Sequence, residues 1–422
     1  MDKVSKQPEG ILAPYRVLDL TDDLGFLCGK ILGDMGADVI KVEPPGGDPS
    51  RNIGPFVDGV LDPEKSLYWF AYNTSKRGIT LNLTERTGQE LFKRLARKAD
   101  FVIESFPPGT VESWGLGYET LKRENPRILL TSVTFFGQTG PYSRYKASDI
   151  EIMATSGAMS LSGERNGPPL RISFPQSAMW TGMHAAAGTL LAHYERELSG
   201  EGQHVDVSAQ ASTLSSLAHA PACWDLNRDD PHREGILMTG RSITGAVMQV
   251  FWPCQDGYIN FIVYGGPAGR KTNLELVKWM DSKGMAPAYL KEIDWDKFDI
   301  STATQEQIDA IEKPAGEFLK TLTKAEYFAG VVERGMLGYP VQNPEDIFND
   351  PQLEARNFWV SLPHPELGRE IPYPGAAALF SQGSCTPRCR APLIGEHNRE
   401  IYEGELGLSH EELTILKQAG VI

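Results

Sequence analysis

The sequence predicts an α/β protein with a doubly wound domain around a parallel sheet and a second, smaller α+β domain in the middle of the chain. Three observations carry this. Short apolar runs alternate with helical stretches through the first half. Strand, helix and strand recur within about thirty residues, the length of a βαβ unit. From about Ala218 the pattern gives way to a hairpin and charged helices.

The first run, RVLDLT at Arg16–Thr21, reads as a buried strand followed by a helix from Gly25 to about Asp34. GADVIKVEPPGGD supplies a second strand, Asp38–Glu43, stopped by two prolines and two glycines. Thr87-Gly-Gln-Glu90 predicts a capping box opening a helix that places Leu91, Phe92 and Leu95 on one face. Phe101–Ile103 and Ile128–Thr131 read as further buried strands, with a short helix at Tyr118–Arg123 between them. A helix rich in Ala and Gly is predicted over Thr181–Glu197, its small residues implying close approach to another backbone. SGEGQ ends it, and HVDVS at His204–Ser208 alternates as a strand. In the middle of the chain, Gln249–Pro253 and Tyr258–Val263 flank a Gln-Asp-Gly turn and predict a hairpin, with helical segments from Leu274 to about Glu333. Ser409–Ala419 reads as a closing helix.

Composition narrows the functional classes. With 422 residues, 41% hydrophobic and 23% charged, the chain is an ordinary globular protein large enough for two domains. Its formal charge of −14 argues against a nucleic-acid partner, whose phosphates need clustered Lys and Arg. No apolar run reaches membrane-spanning length and the N-terminal residues lack the apolar core of a signal peptide, so no membrane association is expected. Five scattered cysteines suit reduced thiols in a cytoplasm. Cys385 and Cys389 form a lone CxxxC without a second ligand pair, so no metal site is expected. Gly25, Gly29, Gly33 and Gly36 do not make a GxGxxG, which sets a nicotinamide or flavin dehydrogenase aside.

Taken by themselves, the chemistry-bearing side chains are inconclusive. His184, inside the Ala-rich helix, reads as a packed or hydrogen-bonded core histidine rather than a catalyst. Asp206 sits at a strand end, where a carboxylate often caps a helix. Asp149 and Glu151 are two residues apart, which suits neither a helix face nor a general acid/base pair. Lys76 and Arg77, in NTSKRGITLNL, read as a loop able to meet a phosphate or simply solvated. The segment LRISFPQSAMWTGMHAAAG reads as a loop entering the Ala-rich helix, and Pro175–Thr181 offers no carboxylate, cysteine, histidine or lysine.

The order of longer phrases is more specific. VLDLT, GADVIKVEPPGGDPSR, NTSKRGITLNL, ADFVIESFPPG, WGLGYETLKRENPRILLTSVTFFGQTGPY, SGAMSLSG, GPPLR, LSGEGQHVDVS and PLIGEHNREIY resemble the class III CoA-transferases of the formyl-CoA and carnitine type, from about Tyr15 to the C-terminal end. That resemblance implies a Rossmann-like large domain made from both chain ends, 1–217 and 335–422, a small α+β domain over 218–334, and two chains interlocked as rings. It implies coenzyme A or an acyl-CoA as substrate, with no covalently held cofactor. Lys76, Phe106 and Lys146 match CoA-contacting positions of the family.

The family's chemistry needs an aspartate that attacks the acyl-CoA and then carries CoA as a thioester to the acceptor acid. It normally stands nine residues after the second proline of GPP and four before the glycine opening the next helix. Counted from Pro169 and from Gly182, that position is Ala178. Ser177 lies beside it without an evident base. Other departures cluster here: TDDLGFLCGK in the first βα turn, Pro44 after Glu43, Ser113 where the family has an arginine, TGRSITGA in place of a glycine-rich loop, and Ser148 where racemase relatives have histidine. These features resemble most the aspartate-lacking subunit in the succinyl-CoA:benzylsuccinate branch of anaerobic toluene degradation. The expectation is a subunit of a heteromeric enzyme moving CoA from succinyl-CoA to an aryl-succinate, with a homologous chain supplying the aspartate. The alternatives are a non-enzymatic acyl-CoA-binding scaffold, or an Asp-to-Ala variant of a homodimeric transferase.

Overall fold

The structure, a computed structural model, describes residues 10–422; the first nine residues, where the N-terminal reading begins, lie outside them. The chain divides into two compact units. The first comprises residues up to Ala158, Arg171–Asp229 and Pro351–Ile422; the second comprises Met159–Leu170 and Asp230–Asp350. These limits differ from those read in the sequence at 218 and 334. The helix His219–Asn227 belongs to the first unit, and Tyr339–Pro340 pairs as a strand within the second.

The first unit is built on six parallel strands: β1 (Arg16–Leu20), β2 (Asp38–Glu43), β3 (Lys76–Thr80), β4 (Phe101–Glu104), β5 (Leu129–Thr134) and β6 (His204–Ser208). Their order is β3-β2-β1-β4-β5-β6, the doubly wound order in which the winding reverses between β1 and β4. Alternate side chains serve opposite faces. Leu18, Leu20, Ile40, Val42, Val102 and Leu130 enter one core, and Val17, Val39, Phe101, Ile103, Leu129 and Val133 enter the other. Both faces are therefore covered at β1, β2, β4 and β5, which is why these four read as buried, mainly apolar runs.

Nine α-helices lie among the described residues up to Asp229, in chain order: α1 (Phe26–Asp34), α2 (Leu67–Tyr72), α3 (Arg86–Ala96), α4 (Thr110–Ser113), α5 (Tyr118–Glu124), α6 (Asp149–Thr155), α7 (Ser177–Ser199), α8 (Ala209–Leu214) and α9 (His219–Asn227). α3 starts at Arg86 with Glu85 as an N-cap that makes no side-chain cap, so Thr87 is inside the helix and the expected capping box is absent. Leu91, Phe92 and Leu95 are buried as predicted. Lys76 and Arg77, read as a loop, open β3. The 23-residue α7 begins at Ser177, four residues before the predicted start. Its small residues do allow a close approach: a Cβ on Gly182 would lie 2.7 Å from the Leu27 Cβ of α1. The chain end returns to this unit, with Ile401, Tyr402, Val421 and Ile422 in its core.

In the second unit Phe251–Cys254 and Gly257–Asn260 form an antiparallel hairpin about Gln255-Asp256, joined by Tyr339–Pro340. The predicted hairpin is present with shorter strands, because Gln249 pairs instead with Leu237. Four helices, Gly266–Ser282, Ala288–Lys291, Gln305–Leu319 and Lys324–Arg334, pack on it. Trp252, Phe261, Trp279, Phe318 and Tyr327 fill a separate core.

Candidate active site

In a doubly wound sheet the crevice outside the strand C-termini, where the winding reverses, is where ligands sit. Here β1 runs out into Asp22 and Asp23, and β4 into Ser105 and Phe106. The two ends are tied together: the Ser105 hydroxyl donates to the Asp22 carboxylate at 2.7 Å, and the Asp22 backbone N–H lies 2.7 Å from the same hydroxyl oxygen. Two cavities, of about 470 and 340 Å³, share Asp22, Ser105, Phe106 and Pro107.

The larger cavity is apolar at its base, with Leu20, Val42, Leu81 and Leu83, and aromatic at its rim, where Phe106 and Trp114 meet edge to face at 4.9 Å. Its polar lining includes Asp23, Glu43 and Asp48 but no lysine or arginine. Glu43 is spoken for: the buried Arg51 guanidinium donates to it at 2.6 and 2.8 Å. Burial raises the Asp23 carboxyl to about 6, helped by the neighbouring charge of Asp22. Burial likewise raises Glu104, which accepts the Phe106 N–H at 2.7 Å, to about 7. The smaller cavity is lined by Leu24, Phe135 and Tyr145, with Arg144 and Lys146 at its edge.

Of the three residues expected at a CoA site, Phe106 stands between the two cavities and Lys146 lines the smaller one. Lys76 lines neither. It is 1% exposed, and its ammonium donates to Asp19 at 2.8 Å, the Asn73 side-chain oxygen at 2.9 Å and the Phe26 carbonyl at 3.0 Å. Burial alone would raise the Asp19 carboxyl; Lys76 and Lys41 more than reverse this and hold it below the usual carboxylate range. Arg77 pairs with Asp38, Glu400 and Glu405 rather than facing either cavity.

Ala178 occupies the first turn of α7, 4% exposed, in the core that also contains Leu24, Cys28 and Ile152. A carboxylate does reach this helix start, from outside the segment. Asp149 Oδ1 accepts the backbone N–H groups of Gln176 at 2.8 Å and Ser177 at 2.9 Å, and the Ser177 hydroxyl at 2.9 Å. The expectation that no base lies beside Ser177 is therefore corrected: the Asp149 carboxylate accepts its hydroxyl, brought there from α6. Asp149 Oδ2 is buried without a hydrogen-bond partner, 3.6 Å from the Arg171 guanidinium. Nothing in local spacing signals this, because Asp149 and Ser177 are 28 residues apart. Glu151 does a different task, closing a capping box with Ser148 on its own helix. The two acids therefore cap two different helices.

Two readings change. His184 is exposed, not a core residue, with Nδ1 2.9 Å from the Trp180 carbonyl and Nε2 3.3 Å from the Ser215 hydroxyl. Asp206 accepts the Gln138 N–H at 3.0 Å in the loop after β5, while Ser208 caps α8. All five cysteines are free. No helix among the described residues is long and apolar enough to cross a membrane.

Comparison with known proteins matches this arrangement. Residues 12–398 match CoA-transferase family III. The chain is 34% identical over 411 residues to succinyl-CoA:(R)-benzylsuccinate CoA-transferase subunit BbsE of Thauera aromatica, covering 97% of each chain. It is 33% identical to formyl-CoA:oxalate CoA-transferase of Streptomyces coelicolor, over 99% of this chain and 100% of that one. A crystal structure of a CaiB/BaiF family protein from Brucella suis superposes with a TM-score of 0.79 at 28% identity, covering 94% of this chain and all of the other. With the whole length matched, and a ligand crevice at the sheet's reversal point, the chain belongs to CoA-transferase family III, whose enzymes use CoA thioesters as substrates.

Proposed function

We propose that this chain is the subunit of a heteromeric CoA-transferase that lacks the nucleophilic aspartate, and that a homologous chain carries it. The enzyme moves CoA from succinyl-CoA to an aryl-succinate such as benzylsuccinate. The observation that carries this reading is Ala178: a methyl group in the first turn of α7, with the adjacent Ser177 hydroxyl bound to Asp149. A methyl group cannot attack a thioester, so the family's aspartate chemistry has no nucleophile at this position of the chain. The similarity to the Thauera aromatica subunit of succinyl-CoA:(R)-benzylsuccinate CoA-transferase supports these substrates.

A second observation favours a partner chain. Along α7, Trp180, Met183, Leu191, Tyr194 and Leu198 recur at helical spacing on the exposed side, the last three 68–73% exposed. An apolar stripe of this length on a 23-residue helix is a surface that another chain covers. The occupant proposed is the aspartate-bearing homologue. Co-expression with a homologous chain tests the reading: the pair is expected to transfer CoA and this chain alone is not. Turnover by this chain alone would overturn it, and CoA binding by a homomer that shows no transfer even with the homologue would favour a scaffold.

A further inference from the structure

We infer that Arg144 is a specificity-determining residue of this crevice, contacting a phosphoryl group of the bound nucleotide together with Lys146. The inference rests on the reading of the ligand as a CoA thioester. It starts from the uneven charge of the crevice. The cavity on the β2 side is lined by Asp22, Asp23, Glu43 and Asp48 and by no lysine or arginine, so it offers a phosphate no cation. Asp22 and Asp23 also stand immediately before α1, at the helix start where a doubly wound fold otherwise receives an anion.

Cations appear only on the other side of Phe106. Arg144 and Lys146 line the smaller cavity, and Arg144 also lines the adjoining open groove with Pro108, Thr110 and Ser113. Both side chains are exposed, and neither is taken up by an ion pair or hydrogen bond among the described residues. The one carboxylate lining the smaller cavity, Asp22, is engaged by the Ser105 hydroxyl and the Leu24 N–H. A free guanidinium presents a planar fork of donors matched to phosphate oxygens, which an ammonium cannot reproduce. Among the described residues lining these cavities, Arg144 and Lys146 are the basic side chains a phosphoryl group would meet.

The test is calorimetric titration of the full-length chain with CoA and with 3′-dephospho-CoA, for wild type, R144Q and R144K. R144Q is expected to weaken CoA binding about tenfold, the loss of one charge-assisted contact, with R144K recovering part of it. A loss confined to CoA assigns the ribose phosphate, and an equal loss with 3′-dephospho-CoA assigns the diphosphate; either supports the proposal. CoA affinity within twofold of wild type in R144Q, or no CoA binding by the wild-type chain, overturns it. Neither result touches the subunit reading, which is decided by turnover of the assembled pair. Thermal melting of each variant guards against misfolding, and an exposed, unpaired side chain predicts unchanged melting.

Discussion

Asp149 accepts the backbone N–H of Ser177 at 2.9 Å, one residue before Ala178. The helix whose start defines the family's reactive position is therefore held by a carboxylate from α6. An ionised acceptor at a helix N-terminus gains from both the orphan N–H groups and the helix dipole. Asp149→Ala removes three hydrogen bonds at once and is expected to cost about 1–3 kcal/mol in urea denaturation. Asp149→Asn keeps an acceptor oxygen and should cost less than half as much. A loss below 0.5 kcal/mol in the alanine variant, on the order of an ordinary surface change, would show that the contact is incidental.

Lys76 and Asp19 form a fully buried ion pair, with both side chains at 0% exposure. Removing Lys76 leaves the buried Asp19 with only Lys41 and the Thr21 hydrogen bonds, so Lys76→Met is expected to cost about 2–4 kcal/mol. The double variant with Asp19→Leu should recover much of that loss. Because Asp19 titrates below its ordinary value, its contribution is present at neutral pH and disappears as pH falls through the folded-state value, below 3.8. Circular dichroism melts at pH 3 and pH 7 measure this. A Lys76→Met protein as stable as wild type would contradict the ion-pair argument.

Glu104 gives the opposite pH dependence. Its carboxyl is raised from 4.5 to about 7 by burial, so between those values the unfolded chain ionises while the folded one keeps its proton. Stability therefore falls as pH rises through that window, by up to about 3 kcal/mol at about 1.4 kcal/mol per unit. Glu104→Gln, which retains an acceptor for the Phe106 N–H, should flatten the profile and be the more stable protein at pH 8. Denaturation midpoints at pH 5 and pH 8 decide it; parallel profiles for the two proteins would contradict the burial argument.

The apolar stripe on α7 predicts association. Leu191→Glu with Tyr194→Glu should abolish the heteromer in light scattering while leaving the melting temperature of the isolated chain within a few degrees, since both side chains point to solvent. An intact heteromer would place the interface elsewhere.

The sheet was legible because β1, β2, β4 and β5 are buried apolar runs and β6 alternates: β2 and β6 have the predicted limits, and β1, β4 and β5 differ by at most a few residues at their ends. Helix starts were harder. The Ser177 start of α7 depends on Asp149, which no local pattern ties to it, and the apparent box at Thr87–Glu90 lost to an earlier start at Arg86. The candidate site divides in the same way. Phe106 stands just past the end of β4, which the βαβ pattern already locates, so its neighbourhood could be anticipated, whereas Lys146 sits in the long loop between β5 and α6. Arg144, the Asp22–Ser105 tie and the burial of Lys76 come from tertiary contacts between segments 50–83 residues apart or from an irregular loop, and carry no signature in spacing.

The most direct test of the account is to locate the covalent intermediate. The assembled pair is mixed with succinyl-CoA, quenched in acid, and both chains are weighed by mass spectrometry. The account predicts an acyl or CoA adduct on the homologous chain alone and an unmodified mass for this one. An adduct on this chain, at Asp149, Ser177 or any other residue, would contradict it.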